Sequence, residues 1–164
     1  MIDNITAVID FLDKLEISYK IYRHPPLPTI EIALEYWNNI PATHCKNLFF
    51  RNHKGNQHYL VIFECNHVLQ IHDLEKRLKQ GKLSFASSDR MNKHLGLSPG
   101  SVSPFGLIND KDHNVIVYID ITLEKSEYLS FHPNDNTATL LIRTLDFKKF
   151  LNICKNDYYF QELY

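Results

Sequence analysis

Lys46-Asn47-Leu48-Phe49-Phe50-Arg51 and Tyr59-Leu60-Val61-Ile62-Phe63 are two apolar runs on either side of the polar segment His53-Lys54-Gly55-Asn56. Runs of this length, rich in aromatic and β-branched side chains and joined through a glycine-containing turn, predict a β-hairpin. Upstream, Ile5, Val8, Ile9, Leu12 and Leu15 recur at helical spacing and predict an amphipathic helix over residues 4–15. Tyr19 to His24 alternates as a strand does and stops at Pro25-Pro26, which cannot continue a ladder. Thr29 is a candidate N-cap for a short helix running to Trp37, and the residues from there to Thr43 read as a polar connection.

Downstream of the hairpin, Asp73 to Gln80 predicts a short charged helix ending near Gly81. Ser87 or Ser88 caps another that runs to Leu95, with Gly96 as its C′ residue. Leu97 to Gly106 is rich in serine, proline and glycine and reads as a loop. Val115–Asp120, Tyr128–Phe131 and Thr137–Ile142 read as strands and Asp146–Cys154 as a closing helix, while the tail from Asp157 is assigned no element. Strands and helices alternate without a strict βαβα rhythm. The expectation is a single α+β domain over residues 1–164, with about five or six strands in one mixed, partly barrel-like sheet flanked by helices.

The chain has 164 residues, 44% hydrophobic and 23% charged, the proportions of one globular domain. Eighteen basic and nineteen acidic side chains leave a net charge of −1, which argues against bulk coating of nucleic acid or membrane. Three cysteines, Cys45, Cys65 and Cys154, make no disulfide framework and fit a reducing, cytoplasmic compartment. The start of the chain lacks the basic segment of a secretory signal, and no apolar run approaches the ~20 residues that span a bilayer.

Nine histidines raise the question of a metal. Cys65, His67 and His72 are the nearest grouping, but no second pair of ligands accompanies them, so a zinc site is not assigned. Cys45 beside Lys46 is a conceivable nucleophile, yet it opens an apolar strand, where free cysteine usually serves as a small core residue. No nucleophile elbow, Walker loop or dinucleotide fingerprint is present. Two stretches remain. Leu83 to Arg90 leads into Ser98-Pro99-Gly100-Ser101-Val102-Ser103-Pro104-Phe105-Gly106, where glycines and serines can offer backbone N–H groups to a ligand. Phe131-His132-Pro133-Asn134-Asp135-Asn136-Thr137 is a polar turn between strands.

Cys45 to Arg51, the loop Ser98 to Gly106 and Phe131-His132-Pro133-Asn134 together resemble the YbaK/ProX superfamily. Its members are freestanding relatives of the editing domain inserted in bacterial prolyl-tRNA synthetases. The likeness runs in order from about His24 to Phe150. It implies a metal- and cofactor-independent hydrolase that cleaves the ester of mischarged tRNA(Pro), most nearly alanyl-tRNA(Pro). A same-fold deacylase for seryl or cysteinyl esters, or a non-catalytic tRNA- or synthetase-binding module, are the competing readings.

By the same resemblance the family's strand lysine falls on Lys46, its Gly-x-x-x-Pro loop on Gly100 to Pro104 and its pocket histidine on His132. Lys46, Gly100 and Pro104 are therefore the expected catalytic positions, and Asn47, Arg90, Ser101, Val102, Ser103 and His132 the expected substrate contacts. The expected partners are the acceptor end of mischarged tRNA and prolyl-tRNA synthetase, with no membrane. The glycine lead-in Leu95-Gly96-Leu97-Ser98-Pro99-Gly100 departs from the Thr-Gly-Tyr-like segment of many members and suits the ProX-type branch. Residues 46–93 hold nine basic and four acidic side chains against a net negative remainder, so a local cationic face survives the neutral total.

Overall fold

β2 (Thr43–Asn52) is the strand on which the fold turns, since it pairs with three others. A computed structural model describes residues 3–26 and 30–164. Over Cys45 to Arg51, β2 pairs antiparallel with β3 (His58–Glu64), which is the hairpin foreseen in the sequence. Its end, Phe50 to Asn52, also pairs with β4 (Leu83–Phe85). Its beginning, Thr43 and His44, pairs in parallel with Leu129 and Ser130 of β6 (Tyr128–Phe131).

The remaining strands complete a mixed sheet ordered β1-β7-β6-β2-β3-β5-β8, with β4 branching from β2. β1 (Tyr19–Arg23) and β7 (Ala138–Arg143) are antiparallel, whereas β3, β5 (Val115–Asp120) and β8 (Tyr158–Gln161) run parallel. The path ends at β1 and β8 and does not close into a barrel. The α+β expectation is therefore met by an open sheet of eight strands. Two of these, β4 and β8, lie where the sequence predicted none. Both are short, three and four residues, and gain stability from neighbours rather than from a pattern of their own.

Side chains alternate along a strand, so β2 feeds two layers. Cys45 and Phe49 join Leu60, Ile62, Val117, Ile119, Leu129, Phe131 and Leu140 in the main core. α1 (Asn4–Lys14), α4 (Ser88–Leu95), α5 (Thr144–Cys154) and the 3-10 turn Pro104–Asn109 cover that face through Val8, Leu12, Met91, Leu95, Phe147, Phe150 and Phe105. Phe50 points the other way, with Tyr59, Val61 and Phe63, into a layer closed by Leu74 and Leu78 of α3 (Ile71–Leu78). α2 (Ile30–Trp37) packs Ala33 and Trp37 over Leu141 and Cys65 on the far side of the β1-β7-β6 half.

Caps fix the ends of these helices. Asp3 accepts from the Thr6 amide at α1, and Ser87 accepts from the Arg90 amide at α4. Gly96 ends α4 with a φ of +66°, as its C′ assignment requires. The Thr29 cap expected for α2 lies outside the described residues.

Candidate functional site

The site follows from the short partnership between β2 and β6. Their ladder holds at Thr43–Leu129 and His44–Ser130, after which β2 continues with β3. At the last step the ring Nδ1 of His44 and the Ser130 Oγ are 2.5 Å apart, so both side chains stand on the same face. Lys46 and His132 are the next residues on that face of each strand, one alternation onward. The two positions thus flank the slot where the strands part, with Lys46 exposed and His132 half-buried.

Asn47, by the same alternation, faces the main core beside Cys45 and Phe49. Its Oδ1 is buried and has no hydrogen-bond donor among the described residues; the Oδ1 of Asn134, two residues beyond His132, is in the same condition. Unpaired buried acceptors are uncommon, because each forfeits its hydration. Asn134 also adopts a left-handed φ of +63°, and its carbonyl accepts from the Asn4 side chain of α1.

The glycine loop is anchored on the main-core side of the sheet by aromatic packing. Phe105, at the head of the 3-10 turn, meets Phe131 edge-on at 5.9 Å, and Phe131 immediately precedes His132. Within the loop the residues divide by role. Gly100 is exposed at φ +89°, and a Cβ there would meet nothing within 4 Å, so its backbone borders open space. The Ser101 amide closes a turn onto the Ser98 carbonyl at 3.1 Å. Val102 packs against the main core. Ser103 is fully buried, and its hydroxyl accepts from the Phe105 amide at 3.1 Å as the cap of the turn. Pro104 is buried at the turn's first position. Gly100 and Ser101 are thus available to a ligand, whereas the side chains of Val102, Ser103 and Pro104 shape the loop.

His132 carries a neutral ring. Burial, more than any neighbour, holds its pKa below the ordinary value, and its Nδ1 lies 3.3 Å from the Ala138 carbonyl oxygen. With the proton on Nδ1, Nε2 is left as an acceptor. Above this face, α2 is fastened by polar contacts that no local pattern announces. The Trp37 indole donates to Thr139 Oγ1 at 3.1 Å, His24 Nε2 meets the same oxygen at 2.8 Å, and the His44 ring stacks on Trp37 at 4.7 Å. The strand was expected to begin at Lys46, and its actual start at Thr43 is what puts His44 in step with Lys46.

Arg90 stands elsewhere. Its guanidinium Nη1 donates to the Gly55 carbonyl at 2.7 Å at the tip of the hairpin. Lys46 pairs with Phe63 and Arg51 with His58, so this tip is five residues, about 17 Å, along the strand from Lys46. Lys46 and His132 therefore share the α2 face of the sheet, Asn47 and the glycine loop lie on its main-core side, and Arg90 stands apart at the hairpin tip.

Cys45 does not act as a nucleophile in this arrangement. It is buried in the core, and desolvation pushes its thiol far above the ordinary value. Cys154 is likewise pushed up to about 12 by burial. Cys65, His67 and His72 take separate partners: Cys65 is buried under α2, His67 stacks on Tyr164 at 3.9 Å, and His72 pairs with Glu75. No helix among the described residues is long and apolar enough to cross a membrane.

The chain belongs to the aminoacyl-tRNA editing domain family, whose model matches residues 24–150. It is a hydrolase of aminoacyl-tRNA esters. It is similar to the prolyl-tRNA editing protein ProX of Acetoanaerobium sticklandii, 40% identical over 156 residues that make up 93% of each chain. The prolyl-tRNA synthetase associated domain-containing protein 1 of Mus musculus is 30% identical, over 89% of this chain and 88% of its own. A crystal structure described as a candidate trans-editing enzyme for prolyl tRNA synthetase shares the fold at a TM-score of 0.73, with 18% identity, over 98% of this chain and 97% of that one.

Proposed function

We propose that this protein acts in trans on mischarged tRNA(Pro), hydrolysing the ester of alanyl-tRNA(Pro). The observation that supports the proposal is the parting of β2 and β6, with Lys46 and His132 next along the strands beyond the His44–Ser130 contact. An aminoacyl ester is already activated. The protein has mainly to hold the terminal adenosine, admit a water and stabilise the oxyanion of the tetrahedral intermediate.

Lys46 is the one expected catalytic side chain that carries charge, and its exposed ammonium suits the terminal phosphate and ribose. Backbone around Gly100 and Ser101 can approach the ribose and the reacting carbonyl closely, since no Cβ intervenes at Gly100. Asn47 supplies an amide whose Oδ1 still lacks a donor. His132, neutral and half-buried, serves as a wall of the aminoacyl pocket, and the pocket selects by size, admitting alanine and excluding the proline ring. No carboxylate is assigned as general base; the substrate's own vicinal hydroxyl is the group placed to orient the water. The reading takes residues 1–164 as one editing domain acting in the cytoplasm, with prolyl-tRNA synthetase as its natural neighbour.

The test is a deacylation panel. Purified protein is incubated with alanyl-, seryl-, cysteinyl- and prolyl-tRNA, and release of the amino acid is followed. Alanyl-tRNA(Pro) should be cleared preferentially and prolyl-tRNA(Pro) spared. Activity confined to a seryl or cysteinyl ester would overturn the alanine assignment, and tRNA binding without hydrolysis anywhere on the panel would overturn the enzymatic one.

A further inference from the structure

A polar cavity of about 550 Å³ opens at the hairpin tip, away from Lys46 and His132. Gly55, Asn56, His58, Arg90, Lys93 and His94 are among the residues that line it. Its floor is a continuous chain of hydrogen bonds. His58 is 2% exposed; its Nδ1 lies 2.7 Å from Asn114 Oδ1, and its Nε2 lies 3.1 Å from Arg90 Nη1, which also donates to the Gly55 carbonyl. The geometry requires a neutral His58 that donates from Nδ1 and accepts at Nε2. The His58 ring is itself clamped, stacked on Phe49 at 5.6 Å and lying 4.0 Å from the ring of His94.

A surface arginine usually gives up side-chain freedom when it binds an anion. Here a buried imidazole and a backbone carbonyl have already fixed the guanidinium. Gly55 permits this closeness, since a Cβ there would stand 2.7 Å from Arg90 Nη2. Lys93, one turn further along α4, is exposed on the same cavity, and Asp89 is the single carboxylate lining it. The amide end of α4 adds its own preference for negative charge.

We infer that this cavity is a clamp for a backbone phosphate of the tRNA acceptor stem, with Arg90 and Lys93 as the binding residues and His58 as the residue that positions Arg90. The inference rests on the deacylase reading for the identity of the RNA. The clamp lies on the Phe49 face of β2, about 17 Å along the strand from Lys46, whose side chain leaves the opposite face. At ~3.4 Å per stacked nucleotide this is about five nucleotides from the esterified end, where the single-stranded tail of a tRNA gives way to paired stem. α4 carries Arg90 in its first turn and ends at Gly96, four residues before the exposed Gly100 turn.

The experiment measures binding rather than turnover. The probe is an uncharged RNA minihelix with the tRNA(Pro) acceptor stem and 3′ tail, titrated by fluorescence anisotropy over a range of salt concentrations. Arg90→Gln and Lys93→Gln should each weaken binding about tenfold and each flatten the log affinity against log salt slope by roughly 0.7–0.9. Arg90→Lys should keep the slope and recover only part of the affinity, because a point charge cannot reproduce the fork held by His58. His58→Phe, which keeps the stacking on Phe49, should lower affinity with the slope unchanged. A probe of the single-stranded tail alone should bind wild type and Arg90→Gln equally.

Unchanged affinity and slope in folded Arg90→Gln and Lys93→Gln would overturn the clamp, as would an equal loss on the tail-only probe. Failure of the deacylase reading has a different signature: wild type would bind the minihelix with the predicted slope changes yet hydrolyse no charged tRNA.

Discussion

The ring of His44 and the hydroxyl of Ser130 meet at 2.5 Å across the last hydrogen-bonded step between β2 and β6. Immediately beyond it the strands separate, and Lys46 and His132 occupy the next positions on that face. The pair is therefore a rivet at the base of the slot. His44→Ala should open the slot and lower deacylation of alanyl-tRNA(Pro) through KM as well as kcat, whereas Ser130→Thr, which keeps the hydroxyl, should recover most of the activity. Steady-state kinetics on both variants test this, and an unaltered KM in His44→Ala would count against the rivet.

Lys46 is exposed and pairs through its backbone with Phe63, so its removal should leave the fold intact. Loss of a charged hydrogen bond to the substrate is worth about 1.5–3 kcal/mol, or about 10- to 100-fold in rate. Lys46→Ala should show that drop in kcat/KM with a melting temperature within a degree or so of wild type. Full activity in this variant would remove Lys46 from the mechanism.

His132→Ala should change selectivity more than rate. Shortening the wall enlarges the aminoacyl pocket, and discrimination between residues differing by a few carbons is worth about 1–3 kcal/mol. The ratio of alanyl- to prolyl-tRNA(Pro) hydrolysis should fall by about tenfold or more, measured by competition in one reaction.

Gly100 holds a φ of +89° in open space. Alanine there meets no clash, but left-handed backbone costs a non-glycine residue about 1–2 kcal/mol. Gly100→Ala should lower the melting temperature by a few degrees and activity by more than that strain predicts, because the relaxed turn moves away from the ribose. Thermal denaturation alongside kcat/KM separates the two effects.

Four histidines, His44, His58, His94 and His132, have pKa values held below 6.5, in each case chiefly by burial. The unfolded chain takes up these protons near pH 6.5, while the folded one resists until lower pH. The stabilising difference is complete above that value and is lost as pH falls below it. Urea midpoints should hold steady from pH 8 to about pH 7 and then drop towards pH 5. A midpoint that rises on acidification would contradict the buried, neutral assignment.

Most elements were legible because their residues carry a period or a punctuation mark. The Val8–Leu12 face of α1, the Ser87 and Gly96 caps of α4 and the β2–β3 hairpin each signal themselves locally. β4 and β8 did not, being too short to show alternation. Leu83-Ser84-Phe85, which had drawn notice as part of a ligand-facing stretch, instead completes the sheet against β2. At the site, residue types marked Lys46, His132 and the glycine loop, but the slot depends on where two distant strands stop pairing. The orphaned acceptors of Asn47 and Asn134, the fastening of Trp37 to Thr139 and the bracing of Arg90 by His58 are likewise products of packing. Nothing in local sequence distinguishes such an asparagine or histidine from an exposed one.

The pairing of β1 with β7 joins Tyr19 to Ile142, more than a hundred residues apart in the chain. Contacts of that span form late, since loop closure must be completed before they contribute. The hairpin and α4, local in sequence, can assemble first. The His24–Thr139 contact belongs to the late half. During refolding, then, secondary structure should recover ahead of catalytic competence, because the hairpin can form before the strands that complete the sheet around it.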